Sequence, residues 1–191
     1  VDAGHGGKDP GAIGVGRLKE APLVLEVAKR VAERLRAALP DVRIVLTRDD
    51  DYFLELDERT EKANRLIGSD RAGFFVSIHA NAAFSRRESG FETYYLCTGA
   101  ADEKAVQTAR MENGVLLDVE GKTSDETSLT AKILQSITLN QYKKESVILA
   151  GNVQSSISNV VRTRRASRGT KCAHFYVLAG AIMPSILCEV G

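Results

Sequence analysis

Apolar residues recur at three- and four-residue intervals between residues 23 and 39. Leu23, Leu25, Val27, Ala28, Val31, Ala32, Leu35 and Leu39 share the recurrence, and Lys29, Arg30, Glu33, Arg34 and Arg36 fill the positions between them. This period predicts a long amphipathic helix, which Pro40 and Asp41 close. A second helix is predicted over residues 57–68, with Asp57 as its N-cap. Residues 74–79 (FFVSIH) form a short apolar, β-branched run bounded by loops, the pattern of a buried strand. Residues 42–47, 90–97, 171–177 and 186–190 read as further strands, with an apolar helical piece over 178–184. Residues 1–4 read as the end of a buried strand whose start lies upstream.

Between residues 98 and 168 the texture changes. Glycine becomes rare, and Ser, Thr, Asn and Gln mix with helix formers. Helices are predicted at 102–117, 126–141 and 144–161, with a polar linker over 118–128 (DVEGKTSDETS). Strands alternating with helices predict an α/β domain, its largely parallel or mixed sheet covered on both faces. The 98–168 stretch is a helical insertion into that sheet, and residues 1–191 form one domain.

Composition narrows the possible partners. The chain has 191 residues and a net charge of +1, so no dense charge favours nucleic acid or an anionic membrane. No apolar run reaches the roughly 18 residues of a membrane span. Cys97, Cys172 and Cys188 are widely spaced and make no CxxC pair. They read as free, mostly buried thiols, with one disulfide plus a spare thiol as the alternative.

The candidate chemistry sits where elements end. Residues 4–16 (GHGGKDPGAIGVG) hold six glycines around His5, and Glu20 follows at the start of the first helix. His79 ends a strand, and Glu189 ends the last one. Open α/β sheets place their sites at such edges. Two imidazoles and one carboxylate suit a catalytic zinc with its fourth position open to water. A second carboxylate can take a proton from that water and pass it on. Glu189 fits that role, since a carboxylate inside the apolar run SILCEVG is costly unless it is paired, ligating or catalytic. His174 alternates on a predicted strand and reads as structural. The glycine-rich loop matches neither GxxxxGK[ST] nor GxGxxG, so a phosphate cradle is disfavoured.

Together these motifs closely resemble one family, the zinc-dependent N-acetylmuramoyl-L-alanine amidases that split bacterial daughter cells. The resemblance rests on VDAGHGGKDPGAIG (1–14), KE (19–20), LTR with the acidic residue after it (46–49), LDERT and KAN within 56–64, FVSIHAN (75–81), GFETYYL (90–96) and MPSILCEVG (183–191). ARMEN (109–113) with the helical stretch after it resembles the regulated members of Gram-negative bacteria.

The resemblance implies a mixed, mostly parallel six-stranded sheet with helices on both faces. It implies one Zn2+ per chain, held by His5, Glu20 and His79, with Glu189 as the catalytic glutamate. The implied reaction is hydrolysis of the amide between N-acetylmuramic acid and L-alanine in peptidoglycan, for septal wall splitting. It also implies a periplasmic location, with export and targeting signals on a segment upstream of this chain. Asn81 and Ser77 are candidates to orient the imidazoles. Arg48 and Arg59 are candidates to bind substrate carboxylates or to make structural ion pairs, with the structural role favoured. In the regulated members the insertion resembles a cover that an activator protein displaces. Here Glu120, Asp125, Glu126 and Glu145 are the candidates to block the metal, and Leu129, Ile133, Leu134, Ile137 and Leu139 to dock the helix on the domain or on a partner. A zinc peptidase or deacylase with the same ligand set, and an inactive wall-binding module, are the alternatives.

Overall fold

The structure, a computed structural model, describes residues 1–68, 72–80, 90–97, 101–114, 129–161 and 167–191, with backbone alone over 129–141. Five strands form one sheet: β1 (Asp2–Ala3), β2 (Phe75–His79), β3 (Phe91–Leu96), β4 (Ser167–Ala173) and β5 (Ser185–Glu189), in the order β1-β2-β5-β3-β4. The pairs β1–β2, β2–β5 and β3–β4 are parallel, and β3 runs antiparallel to β5. The predicted mixed, mostly parallel sheet is therefore present with five strands, not six. Residues 42–47 are not a strand, although Val1 N donates to Val45 O (2.8 Å) and Thr47 N to Val1 O (3.0 Å). Their neighbour β1 is only two residues long and offers no further ladder.

The helices are α1 (Glu20–Ala38), α2 (Leu56–Asn64), α3 (Glu103–Asn113), α4 (Leu129–Val160) and α5 (Tyr176–Ala179). Where two helices were expected over 126–141 and 144–161, α4 is continuous, because no Gly or Pro breaks the chain between them. The expected strand over 171–177 is β4, four residues earlier at both ends, and α5 follows after His174 and the N-cap Phe175. The N-cap of α2 is Glu55, not Asp57. Its carboxylate meets the Glu58 backbone while the Glu58 side chain accepts from Glu55 N at 2.8 Å, a reciprocal capping box.

Alternation along the strands sorts side chains onto two faces. Phe75, Tyr94, Leu96 and Leu187 pack with Ala105 and Ala109 of α3 and with Phe175, Val177 and Leu178 around α5. On the opposite face, Ala3 and Ile78 pack on Val24, Leu25 and Ala28 of α1, and Ile186 and Cys188 pack on Ala150 of α4. By the same period His79 and Glu189 lie on the α3 side. Helix α4 is fastened to the sheet by polar groups as well. Buried Gln154 accepts from Thr93 Oγ1 (2.8 Å) and its Nε2 lies 3.2 Å from Phe91 O, while Ser146 Oγ accepts from Ser185 N (3.0 Å). Helices α3 and α4 thus cover opposite faces of the sheet.

Cys97 and Cys172 form a disulfide, and Cys188 is a buried free thiol. The expectation of three free thiols is corrected to its alternative. Tyr95 of β3 faces Cys172 of β4 in the ladder, which brings Cys97, two residues on, within reach.

Candidate metal centre and active site

His5 projects from the turn that follows β1. Gly6 and Asp9 exchange backbone hydrogen bonds (2.9 and 3.1 Å), which closes the turn. The Asp9 carboxylate does two jobs: Oδ1 accepts from Gly11 N (3.0 Å), and Oδ2 lies 2.8 Å from His5 Nδ1. That second contact fixes the ring and leaves Nε2 facing inward. Glu20 is the first residue of α1. Its Oε2 accepts from Ala12 N (2.9 Å) and its Oε1 from Ala80 N (2.7 Å), so the carboxylate links the glycine-rich loop to the end of β2. His79, the last residue of β2, turns its Nδ1 toward both.

The donor atoms converge. His5 Nε2 lies 3.1 Å from His79 Nδ1 and 3.2 Å from Glu20 Oε1, and His79 Nδ1 lies 3.4 Å from the same oxygen. A fourth group joins them from above: Glu112 Oε2, near the end of α3, is 2.8 Å from His79 Nδ1 and 3.2 Å from His5 Nε2. One ligand atom from each of His5, Glu20, His79 and Glu112 lies within 4.8 Å of every other. Two glycines make the convergence possible. A Cβ on Gly4 would overlap the His79 ring, and one on Gly11 would come within 2.8 Å of both His5 and Glu20.

Burial pulls the His5 imidazolium down, but its hydrogen bonds to the Asp9, Glu112 and Glu20 carboxylates outweigh that and hold the group up at about 12. His79 is likewise penalised by burial, yet the charge and hydrogen bonds of Glu112 and Glu20 raise it to about 10. Burial pushes Glu20 and Glu112 up, and the two imidazoles more than reverse that, so both carboxyls lie well below the usual range.

Glu189 faces His79 in the β2–β5 register and Glu92 in the β3–β5 register. It is 1% exposed, and neither carboxylate oxygen has a hydrogen-bond partner among the described residues. Burial raises its pKa well above the ordinary value, and the nearby Glu112, Glu20 and Glu92 add to that. Glu92 has cationic partners of its own. Its Oε2 pairs with Lys171 Nζ (2.7 Å) and Arg168 Nε (3.2 Å), and its Oε1 accepts from Tyr94 OH (2.7 Å).

The four residues singled out from sequence therefore meet at one rim of the sheet. Other expectations fare differently. Ser77 donates to Asp2 Oδ2 (2.6 Å) and orients no imidazole; Asp9 holds His5 instead. Asn81, Glu120, Asp125 and Glu126 lie outside the described residues, as do the side chains of Leu129, Ile133, Leu134, Ile137 and Leu139. Glu145 is exposed on α4, away from the donor set. The carboxylate that reaches the donor set is Glu112. It belongs to the ARMEN motif, and its place on a helix end gave no clue to where it would land. Arg59 pairs with Asp2 (3.0 Å), whereas Arg48 forms no ion pair among the described residues and donates to backbone carbonyls. His174 is exposed, and its carbonyl accepts from Asn113 Nδ2 (2.8 Å).

A doubly covered α/β sheet with two histidines and three carboxylates gathered at the carboxyl ends of its parallel strands defines a class, the α/β domains with a histidine–carboxylate centre on the sheet rim. The particular family follows from comparison. Residues 1–191 match the family described as N-acetylmuramoyl-L-alanine amidase, and the chain belongs to it. It is 32% identical over 191 residues to the Bacillus subtilis protein YqiI, covering 100% of this chain and 68% of that one. It is 34% identical over 190 residues to the Escherichia coli N-acetylmuramoyl-L-alanine amidase AmiA, covering 99% and 63%. Among solved structures, AmiC2 of Nostoc punctiforme superposes with a TM-score of 0.63 at 34% identity, covering 100% of this chain and 76% of that one. An N-acetylmuramoyl-L-alanine amidase from Clostridium difficile 630 superposes with a TM-score of 0.66 at 27% identity, covering 98% and 75%. The chain thus spans about two thirds of the length of these two curated relatives.

Proposed function

We propose that this chain hydrolyses the amide between N-acetylmuramic acid and L-alanine in peptidoglycan, with a zinc ion held by His5 Nε2, the Glu20 carboxylate and His79 Nδ1. The observation that carries the reading is the convergence of those atoms beside Glu189. Two imidazoles and a carboxylate form a catalytic zinc donor set, and a buried carboxylate with both oxygens unpartnered is primed for proton transfer. When bound, the metal acidifies a water molecule and polarises the scissile carbonyl. Asp9 keeps His5 in the tautomer that presents Nε2. Glu189 accepts the proton of the attacking water and delivers it to the departing alanine nitrogen.

Purified sacculi and elemental analysis test the reading. Glu189→Gln is expected to keep one zinc per chain and to lose hydrolysis by about 10²–10⁴-fold. Near-normal hydrolysis by that variant would remove Glu189 from the mechanism, and absence of zinc from the active wild-type protein would remove the metal.

The same site supports an autoinhibited resting state. Glu112 occupies the fourth position of the donor set, where water and substrate need to enter. Its release from the centre, by a partner protein that shifts α3, is the activating event. Glu112→Ala is expected to raise basal hydrolysis at least about tenfold at unchanged zinc content. An unaltered basal rate would overturn autoinhibition while leaving the amidase reading intact. A peptidoglycan substrate fits a protein that works outside the cytoplasm, and the likeness of the ARMEN motif to the regulated Gram-negative members favours the periplasm, with septal wall splitting as the task. The Cys97–Cys172 disulfide supports an oxidising compartment.

A further inference from the structure

The two largest fully buried side chains are both arginines, Arg48 at 0% and Arg59 at 2% exposure. A buried guanidinium ordinarily faces a carboxylate, because an uncompensated charge in the interior is expensive. Arg59 obeys this, pairing with Asp2. Arg48 makes no ion pair among the described residues, and all of its hydrogen bonds run to backbone carbonyls. Nε donates to Ala3 O (2.9 Å), Nη1 to Asp50 O (3.2 Å), and Nη2 to both Gly4 O (2.6 Å) and Ala21 O (2.9 Å).

The last pair of contacts is the informative one. Gly4 immediately precedes His5, and Ala21 immediately follows Glu20. One nitrogen of one planar group therefore ties together the two backbone segments that carry these residues. Arg59 grips the same loop from the other side. Its Nη1 donates to Ala3 O (2.6 Å) and its Nη2 to His5 O (2.8 Å), while Nε donates to Leu54 O (3.1 Å). His5 needs such a grip, for its φ is +57°, a left-handed conformation that L-residues with a Cβ adopt only under constraint. An apolar filler could occupy the space of Arg48, but it could not hold two carbonyls at a set separation.

We propose that Arg48, assisted by Arg59, is a positioning residue that sets the separation of His5 and Glu20 and so organises the donor set for a divalent cation before the cation arrives. The inference rests on the reading of that set as a metal centre. Because neither guanidinium touches the donor atoms, both act through the backbone, and their effect falls on metal affinity.

The test is a zinc titration of the metal-free protein against a chromophoric chelator, alongside thermal melting of the same metal-free samples. Arg48→Lys keeps the charge and loses the fork, and is expected to bind zinc about 10–100-fold more weakly while still melting cooperatively. Arg59→Lys keeps the pairing with Asp2, gives up the reach to His5 O, and is the second variant should the first fail to fold; the same weakening is expected. A folded variant with a lowered melting temperature but zinc affinity within twofold of wild type shows a merely structural arginine and overturns the proposal. A wild-type protein that takes up no zinc overturns the metal reading itself, an outcome distinct from the previous one.

Discussion

At the scale of single residues, the site is built as much by what is small as by what is reactive. Gly4 leaves the space that the His79 ring fills, and Gly11 leaves room for His5 and Glu20 to approach. Behind them, Asp2 anchors the start of the loop. It is fully buried, accepts from Ser77 and Thr47, and pairs with Arg59. Burial pushes its carboxyl up, but Arg59 and the two hydroxyls more than offset this and hold it below the ordinary value. A depressed folded pKa contributes stability that is fully present above the unfolded value of about 3.9 and is lost as pH falls through the folded one. Urea midpoints measured between neutral pH and about pH 3 are therefore expected to fall more steeply for wild type than for Asp2→Asn. Parallel slopes for the two proteins would show that Asp2 is not part of the acid sensitivity.

At the scale of elements, α3 is the helix that brings Glu112 onto the donor set, and its hold on the sheet is what the proposed resting state depends on. Asp102 caps its N-terminus by accepting from Lys104 N (2.8 Å). Ala105 and Ala109 press its inner face into the core, and Thr108 Oγ1 lies 3.4 Å from Tyr94 OH. Beyond Glu112, the Asn113 side chain clips the end of the helix to the start of α5, donating to His174 O (2.8 Å) and accepting from Tyr176 N (2.9 Å). Loss of this clip leaves Glu112 itself untouched but loosens its hold over the donor set. Asn113→Ala is thus expected to give a basal rate of wall hydrolysis between those of wild type and Glu112→Ala. A rate equal to wild type would mean that the clip is not what keeps Glu112 over the donor set.

At the scale of the whole molecule, the disulfide links β3 to β4 across the part of the sequence that contains α3 and α4. Cys97 and Cys172 are 75 residues apart in sequence. A loop of that size corresponds to roughly 4 kcal/mol in the chain-entropy account, with measured values usually 2–4 kcal/mol. The doubly mutated Cys97→Ser, Cys172→Ser protein is expected to lose about 2–4 kcal/mol in urea unfolding and to become insensitive to dithiothreitol. If reductant leaves the wild-type midpoint unmoved, the bond does not restrain the unfolded chain. The buried polar clasp of Gln154 and the Ser146–Ser185 contact keep α4 on the sheet independently of that bond.

Much of this organisation is legible in the residues. The alternation of strands and helices predicts a covered α/β sheet, and glycine flanks with strand ends point to His5, Glu20, His79 and Glu189. Those signals are local: a period, a turn residue, a carboxylate inside an apolar run. Four things depend on the folded chain. Residues 42–47 lose their place as a sixth strand because β1 beside them is too short to continue a ladder. Cys97 and Cys172 pair because the β3–β4 register brings them together, and no spacing encodes that. Glu112 reaches the donor set, while Glu145 on α4 does not, because the face that α3 presents depends on its packing over Phe175 and Tyr94. Arg48 joins the His5 and Glu20 segments through carbonyls, which every residue carries and no side-chain pattern can mark. Chemistry that resides in residue type was readable along the chain; chemistry that resides in which distant backbone atoms share one guanidinium was decided only by the tertiary structure.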